Sequence, residues 1–104
     1  RSFCYLPEAT SAFLAILLKG KDEQAYNVGN PEQEVSIKTL AKKLTTLYPK
    51  KKLKIEFKSR DKNSPYLPSA IKRSCPDIEK LKSLGWYPQY TIEHGFKNTI
   101  SSFI

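Results

Sequence analysis

The sequence is 104 residues long and carries 18 Lys+Arg against 10 Asp+Glu, a formal net charge of +8 at pH 7. That length fits one domain, 1–104, with a modest core, and is small for a complete enzyme with its own cofactor site; 39% hydrophobic residues and only 4 Gly exclude a disordered tail or a collagen-like repeat. The longest strictly apolar run, Ala12 to Leu18, falls far short of the roughly 20 residues that span a bilayer.

In chain order, Pro7 suits the first position of a helix, where its missing N–H costs nothing. Glu8 to Lys19 then reads as a helix with Phe13, Ile16 and Leu17 on one face and Gly20 as its stop. Its alanines, Ala9, Ala12 and Ala15, permit close packing, and it is apolar over so much of its circumference that burial on more than one side is expected. Gln24 to Val28 reads as a short strand ended by the turn Gly29-Asn30-Pro31. Ser36 caps a second helix, along which Ile37, Leu40, Ala41, Leu44 and Leu47 recur at helical spacing up to Tyr48. Pro49 and three lysines end it. Leu53, Ile55 and Phe57 alternate with Lys54, Glu56 and Lys58, the pattern of a half-buried strand with one wet face.

Ser59 to Pro76 shows no sustained period and is punctuated by Pro65, Pro68 and Pro76; loops of that length inside a domain are usually functional or disordered. Asp77 caps a short helix that turns Ile78, Leu81 and Leu84 inward and closes at Gly85. Thr91 caps the last helix, with Ile92, Phe96, Ile100 and Phe103 as its buried stripe and Gly95 marking a close helix contact. The order of elements is α/β, with about four helices and too few strands for a self-sufficient sheet.

The chain opens at Arg1 and contains no Met, so a piece of a longer protein is expected. Two cysteines, Cys4 and Cys75, make neither a disulfide framework nor a zinc pattern and read as reduced thiols of a cytoplasmic protein. His94 is the only histidine, and no metal site is expected around it. Between Lys38 and Lys62 lie ten basic and two acidic residues, which carry the whole +8. Such a block can be a polyanion footprint. With 15 Lys to 3 Arg, the solvated helix face and turn is the favoured reading, since base reading and bidentate phosphate contacts favour Arg.

Catalytic patterns are not found. A mid-helix His94 beside Gly95 does not suit a nucleophilic triad, and the four glycines are too scattered to cradle a phosphate. The carboxylate pairs Asp22/Glu23 and Glu32/Glu34 read as polar turn residues. Tyr48-Pro-Lys-Lys-Lys52 matches Tyr-x-x-x-Lys, but Pro49 breaks the helical spacing that would stack the two side chains.

Four stretches, in order, nonetheless share a resemblance. Arg1-Ser-Phe-Cys-Tyr-Leu6, Ala25-Tyr-Asn-Val-Gly-Asn30 with Val35-Ser-Ile-Lys-Thr-Leu40, Arg73-Ser-Cys-Pro-Asp77 with Leu84-Gly-Trp-Tyr-Pro88, and Thr91-Ile-Glu-His-Gly95 are similar to segments of the extended short-chain dehydrogenase/reductases that act on nucleotide sugars: the epimerases, 4,6-dehydratases and decarboxylases. In that family this stretch is the small C-terminal substrate-binding lobe. The resemblance therefore implies that the Rossmann part, with its Gly-rich loop and Tyr-x-x-x-Lys dyad, lies outside these residues and would hold the NAD or NADP.

It implies further that Arg1 and Arg73 reach the diphosphate of a nucleotide-diphosphate sugar, a task suited to the guanidinium fork. Many relatives carry a second basic residue where Ser74 stands, and Lys72 is placed to substitute for it. Glu8 stands where relatives have Asp, and Asn63 to Ile71 matches poorly, which leaves the sugar and the reaction type open. No catalytic, cofactor or metal residue is expected within these 104 positions, and no activity from them alone. Expected partners are the nucleotide sugar and the missing Rossmann domain, with self-association through the uncovered apolar surface, and no nucleic acid or membrane. The alternative is a free-standing basic module that uses Lys38 to Lys62 on nucleic acid or another polyanion.

Overall fold

A computed structural model describes every residue except Arg60, Ser64, Tyr66 and Ser69. Arg60, one charge of the basic stretch, and the other three, all in the long proline-punctuated loop, lie outside the described residues. The elements are α1 (Leu6–Lys19), a 3-10 turn (Pro31–Gln33), α2 (Ile37–Leu47), a second 3-10 turn (Pro49–Lys51), α3 (Glu79–Lys82) and α4 (Ile92–Ser101).

Local signals explain the helix ends. The Ser36 hydroxyl accepts the Thr39 N–H at 3.1 Å and the Thr91 hydroxyl accepts that of His94 at 3.2 Å, each satisfying an orphan donor of a first turn. The Gly20 N–H bonds the Ile16 carbonyl at 2.7 Å and closes α1. The Asp77 carboxylate accepts the Glu79 N–H at 2.9 Å and starts α3. Helix α1 begins two residues before the expected Glu8, so Pro7 sits in its first turn.

Both expected strands need correction. Among the described residues the backbone pairs in a β manner at one isolated antiparallel bridge, Ser2 with Glu34. Gln24 to Val28 and Leu53 to Phe57 are irregular, so the fold is mostly helical rather than α/β. Alternating side chains tell which face a strand would bury but supply no neighbour, and a strand exists only through a ladder. Around Gln24 to Val28 the polar groups go elsewhere: Lys80 Nζ donates to the Ala25 carbonyl at 2.8 Å and to Gln24 Oε1 at 2.9 Å. Leu53 and Phe57, expected on a buried face, are exposed.

The core is thin. Ala12, Ile78, Leu81 and Trp86 form its buried cluster, with Ala15, Ile16, Val28 and Leu84 packed around them. Trp86 Nε1 donates to the Ser11 hydroxyl at 2.9 Å, so the indole is seated by a hydrogen bond as well as by apolar contact. Helix α2 packs on α4, where Leu40 and Ile92 are buried and Lys43 pairs with Glu93. The radius of gyration, 16.9 Å, exceeds the roughly 13 Å of a compact domain of this length.

Helix α1 buries only part of the face expected: Ile16 packs on the core but Phe13 and Leu17 do not. Its small-residue face, centred on Ala12, meets the core, while Phe13 and Leu17 are 61% and 77% exposed. With Leu6, Leu14 and Leu18, also exposed, they form an apolar stripe along the helix. In α4 Ile92 is buried as expected, whereas Phe103 lies beyond the helix end and is exposed. Gly95 packs against Tyr5: a Cβ there would stand 3.3 Å from the Tyr5 Cβ. The expected close contact at that glycine is thus made with the N-terminal segment.

Candidate functional site

The N-terminal segment, the turn after Gly29 and the start of α4 are tied together by buried polar groups. Asn30 is buried; its Oδ1 accepts the Glu32 N–H, its Nδ2 donates to the Tyr90 carbonyl at 3.1 Å, and its carbonyl accepts the Ser2 hydroxyl at 2.6 Å. Gln33 Oε1 accepts the Ile92 N–H at 2.8 Å. The backbone N–H groups of Phe3 and Val35 donate to the carbonyls of Gln33 and Arg1 at 3.1 and 2.9 Å. Residues 33–35 are therefore fixed from two sides.

Residues 73–77 run alongside this scaffold in the opposite chain direction. Asn27 Nδ2 donates to the Asp77 carbonyl at 3.1 Å, and the Cys75 thiol donates to the Pro31 carbonyl at 3.7 Å. At Gly29 a Cβ would come within 2.5 Å of the Pro76 ring, so only glycine admits this approach. The stretch ends with Arg73, whose Nε and Nη2 donate to the two carboxylate oxygens of Glu34 at 2.5 and 2.8 Å.

Of the residues singled out in the sequence, Arg73 pairs through its guanidinium with Glu34, and Arg1 pairs through its backbone with the adjacent Val35. Lys72 lies next to Arg73 and is exposed. A pocket of about 250 Å³ lined by Arg73, Cys75, Pro76 and Asp77 adjoins the pair. The Arg73 hydrogen bonds, then that of Cys75, hold the Glu34 carboxyl well below the carboxylate range, at about 2. Glu34 in turn raises the Arg73 guanidinium. Partial burial, followed by the hydrogen bond to Glu34, pushes the Cys75 thiol up.

Two larger pockets lie elsewhere. One of about 430 Å³ has mainly apolar walls that include Phe3, Tyr5, Ile92, Phe96 and Phe103; another of about 420 Å³ is lined by Glu8, Ser11, Trp86 and Gln89 among others. Neither is lined by a cationic side chain, so the smaller pocket at Arg73 is the better candidate for an anion. His94 stacks on Tyr90, ring centroids 4.7 Å apart, and Tyr90 on Tyr5 at 5.0 Å. In the basic stretch Lys38 lies 5.6 Å over the Phe57 ring and Lys58 pairs with Glu56 at 3.7 Å.

Sequence reasoning missed Glu34, which it took for turn punctuation. No local signal marks it, because its partner is 39 residues away. It also missed that Glu8 reaches across to the amides of Gln89 and Tyr90. Among the described residues no group of three or more His, Cys, Asp or Glu could hold a metal ion. No glycine-rich turn leads into a helix either: α1, α2 and α4 follow Tyr5, Ser36 and Thr91, so these residues do not fit a dinucleotide cradle. No helix of the described residues is long and apolar enough to cross a membrane.

Homologues named as glucose-nucleotide 4,6-dehydratases cover nearly the whole chain. It is 34% identical over 100 residues to dTDP-D-glucose 4,6-dehydratase of Mus musculus, covering 96% of this chain and 28% of that protein. It is 26% identical over 108 residues to dTDP-glucose 4,6-dehydratase 1 of Escherichia coli, 100% of this chain and 29% of that protein. A trifunctional UDP-glucose 4,6-dehydratase/UDP-4-keto-6-deoxy-D-glucose 3,5-epimerase/UDP-4-keto-L-rhamnose-reductase of Arabidopsis thaliana is 31% identical over 100 residues, 96% and 14% of the two chains. The chain thus spans less than a third of the length of these curated relatives. No protein-family profile and no solved structure matches it.

Proposed function

We propose that these 104 residues are the substrate-holding lobe of an NAD(P)-dependent nucleotide-sugar 4,6-dehydratase, with Arg1, Lys72 and Arg73 gripping the nucleotide diphosphate. The homologues' names support the reaction class. One geometric observation supports the site: residues 73–77 lie along 27–34, so that the Arg73 guanidinium meets Glu34 next to Val35, the residue that the Arg1 backbone pairs with from 72 positions away.

In this reading the grip is far from the reacting sugar carbon, and its binding energy serves to place that carbon. A diphosphate offers several charged oxygens, and Arg73 presents them with a planar donor fork. The dinucleotide, which carries the hydride, belongs to the chain beyond these residues. The outward stripe of α1, Leu6 to Leu18, is the surface on which that larger part rests; its burial would complete the thin core. The polyanion alternative is weakened by the lysines of the basic stretch that are already engaged, Lys38 with Phe57, Lys43 with Glu93 and Lys58 with Glu56.

The test is Arg73→Ala in the complete polypeptide. Loss of a charge-assisted bidentate contact should raise KM for the nucleotide sugar about 10- to 100-fold with kcat changed far less. An unchanged KM refutes the grip. Steeply salt-sensitive binding of nucleic acid by the 104 residues would favour the alternative.

A further inference from the structure

We infer that Glu34 is a positioning residue for the diphosphate site, holding the Arg73 guanidinium side-on so that its end-on edge, Nη1 and Nη2, is left for the anion. This rests on the proposed diphosphate grip and adds a second residue to it.

The two ends of the pair differ in what they stand on. Arg73 lies in irregular chain and its side chain is 75% exposed, whereas that of Glu34 is 27% exposed. Glu34 also belongs to the segment fixed by the bridge to Ser2 and by the hydrogen bonds of Gln33 and Val35. The carboxylate is therefore the anchored partner and the arginine the one that gains order. A free arginine side chain loses rotamer freedom when it is immobilised; a carboxylate that already orders it meets part of that cost before the ligand arrives.

The edge Glu34 uses is the decisive detail. It takes Nε–H and one Nη2–H, two of the five donors of a guanidinium. One Nη1 hydrogen and the second Nη2 hydrogen form a second, end-on fork that can chelate a phosphate without displacing Glu34. Had Glu34 engaged Nη1 and Nη2 end-on, it would have competed with the phosphate for the same edge.

Binding of dTDP and of UDP to the complete polypeptide, measured by calorimetry, tests this with four variants: Glu34→Ala, Glu34→Gln, Arg73→Ala and the double variant Glu34→Ala/Arg73→Ala. Expected is a loss of about three- to fivefold in affinity for Glu34→Ala, the range of an exposed ion pair. The isosteric Glu34→Gln, which keeps one acceptor for the guanidinium, should recover part of it. The double variant should bind as Arg73→Ala does, because a residue that acts only through Arg73 adds nothing once Arg73 is gone. KM should move with these affinities while kcat stays. Unchanged or tighter binding by Glu34→Ala, or a double variant weaker than Arg73→Ala, overturns the positioning role. If the wild type binds neither nucleotide, or Arg73→Ala binds as the wild type does, the grip itself fails.

Discussion

The carboxylate of Glu8, buried in the first turn of α1, accepts the backbone N–H of Gln89, 81 residues further along the chain. The same oxygen accepts the Tyr90 N–H at 3.1 Å. One side chain thereby stitches α1 to the loop that leads from Trp86 into α4. By accepting two backbone amides, the carboxylate does for this loop what a capping residue does for a helix end.

Glu8→Ala should therefore destabilise the fold by about 2–3 kcal/mol, the usual cost of losing hydrogen bonds to a charged group in a buried setting. Glu8→Gln, which keeps an acceptor oxygen, should lose less than half as much. Urea denaturation measures both. Equal stability of the alanine variant and the wild type would mean that Trp86 and the Asn30 bond to the Tyr90 carbonyl hold the loop without Glu8.

The Glu34 carboxyl is held at about 2 instead of the ordinary 4.5, mainly by Arg73. A lowered folded-state value means that the pair's contribution is whole above about pH 4.5 and is lost as the pH falls through about 2. An NMR titration of the Glu34 carboxyl carbon should show its midpoint near 2 in the wild type and a return towards 4.5 in Arg73→Ala. A wild-type midpoint already at 4.5 would mean that the pair does not form.

Burial and Glu34 both push the Cys75 thiol above its ordinary value, so at neutral pH it is protonated and a poor nucleophile. Its alkylation by iodoacetamide at pH 8, followed by peptide mass spectrometry, should be slower than that of free cysteine. Glu34→Gln should speed it up, since the group that hydrogen-bonds the thiol loses its charge while the neighbouring Arg73 remains. Cys4, raised by burial and then by the charge of Glu8, serves as an internal control.

The stripe Leu6, Phe13, Leu14, Leu17 and Leu18 predicts concentration-dependent self-association of the 104 residues taken alone. Leu14→Lys/Leu17→Lys should reduce it in sedimentation velocity without lowering the denaturation midpoint, because neither side chain is in the core cluster. Association unchanged by the double variant would place the contact elsewhere, for instance at the apolar pocket beside Phe103.

Whatever depends on neighbours within one helical turn was legible. Ser36 and Thr91 were recognisable caps, Gly20 a recognisable stop, and the spacing of Leu40 and Ile92 placed them inward. Faces were less legible than elements. In α1 both sides are apolar, so hydropathy alone could not say that the Ala12 side meets Leu81 and Trp86 while Leu17 faces out. The short apolar alternation at Leu53 to Phe57 reads as a strand by period, yet among the described residues no neighbour completes it.

The candidate site divides in the same way. Arg1 and Arg73 drew notice through the motifs around them, but nothing near either names Glu34 as the partner of Arg73 or Val35 as that of the Arg1 backbone.

By itself, then, the sequence determined where the helices run and which guanidinium groups to watch, because caps, periods and motifs act over a few residues. Only the tertiary structure decided which face of α1 is covered, that the strand-like stretches find no ladder among the described residues, and that Glu34 holds Arg73 as Glu8 holds Gln89. Those pairings join residues 39 and 81 positions apart, and they exist because close approaches such as Gly29 on Pro76 bring distant segments side by side.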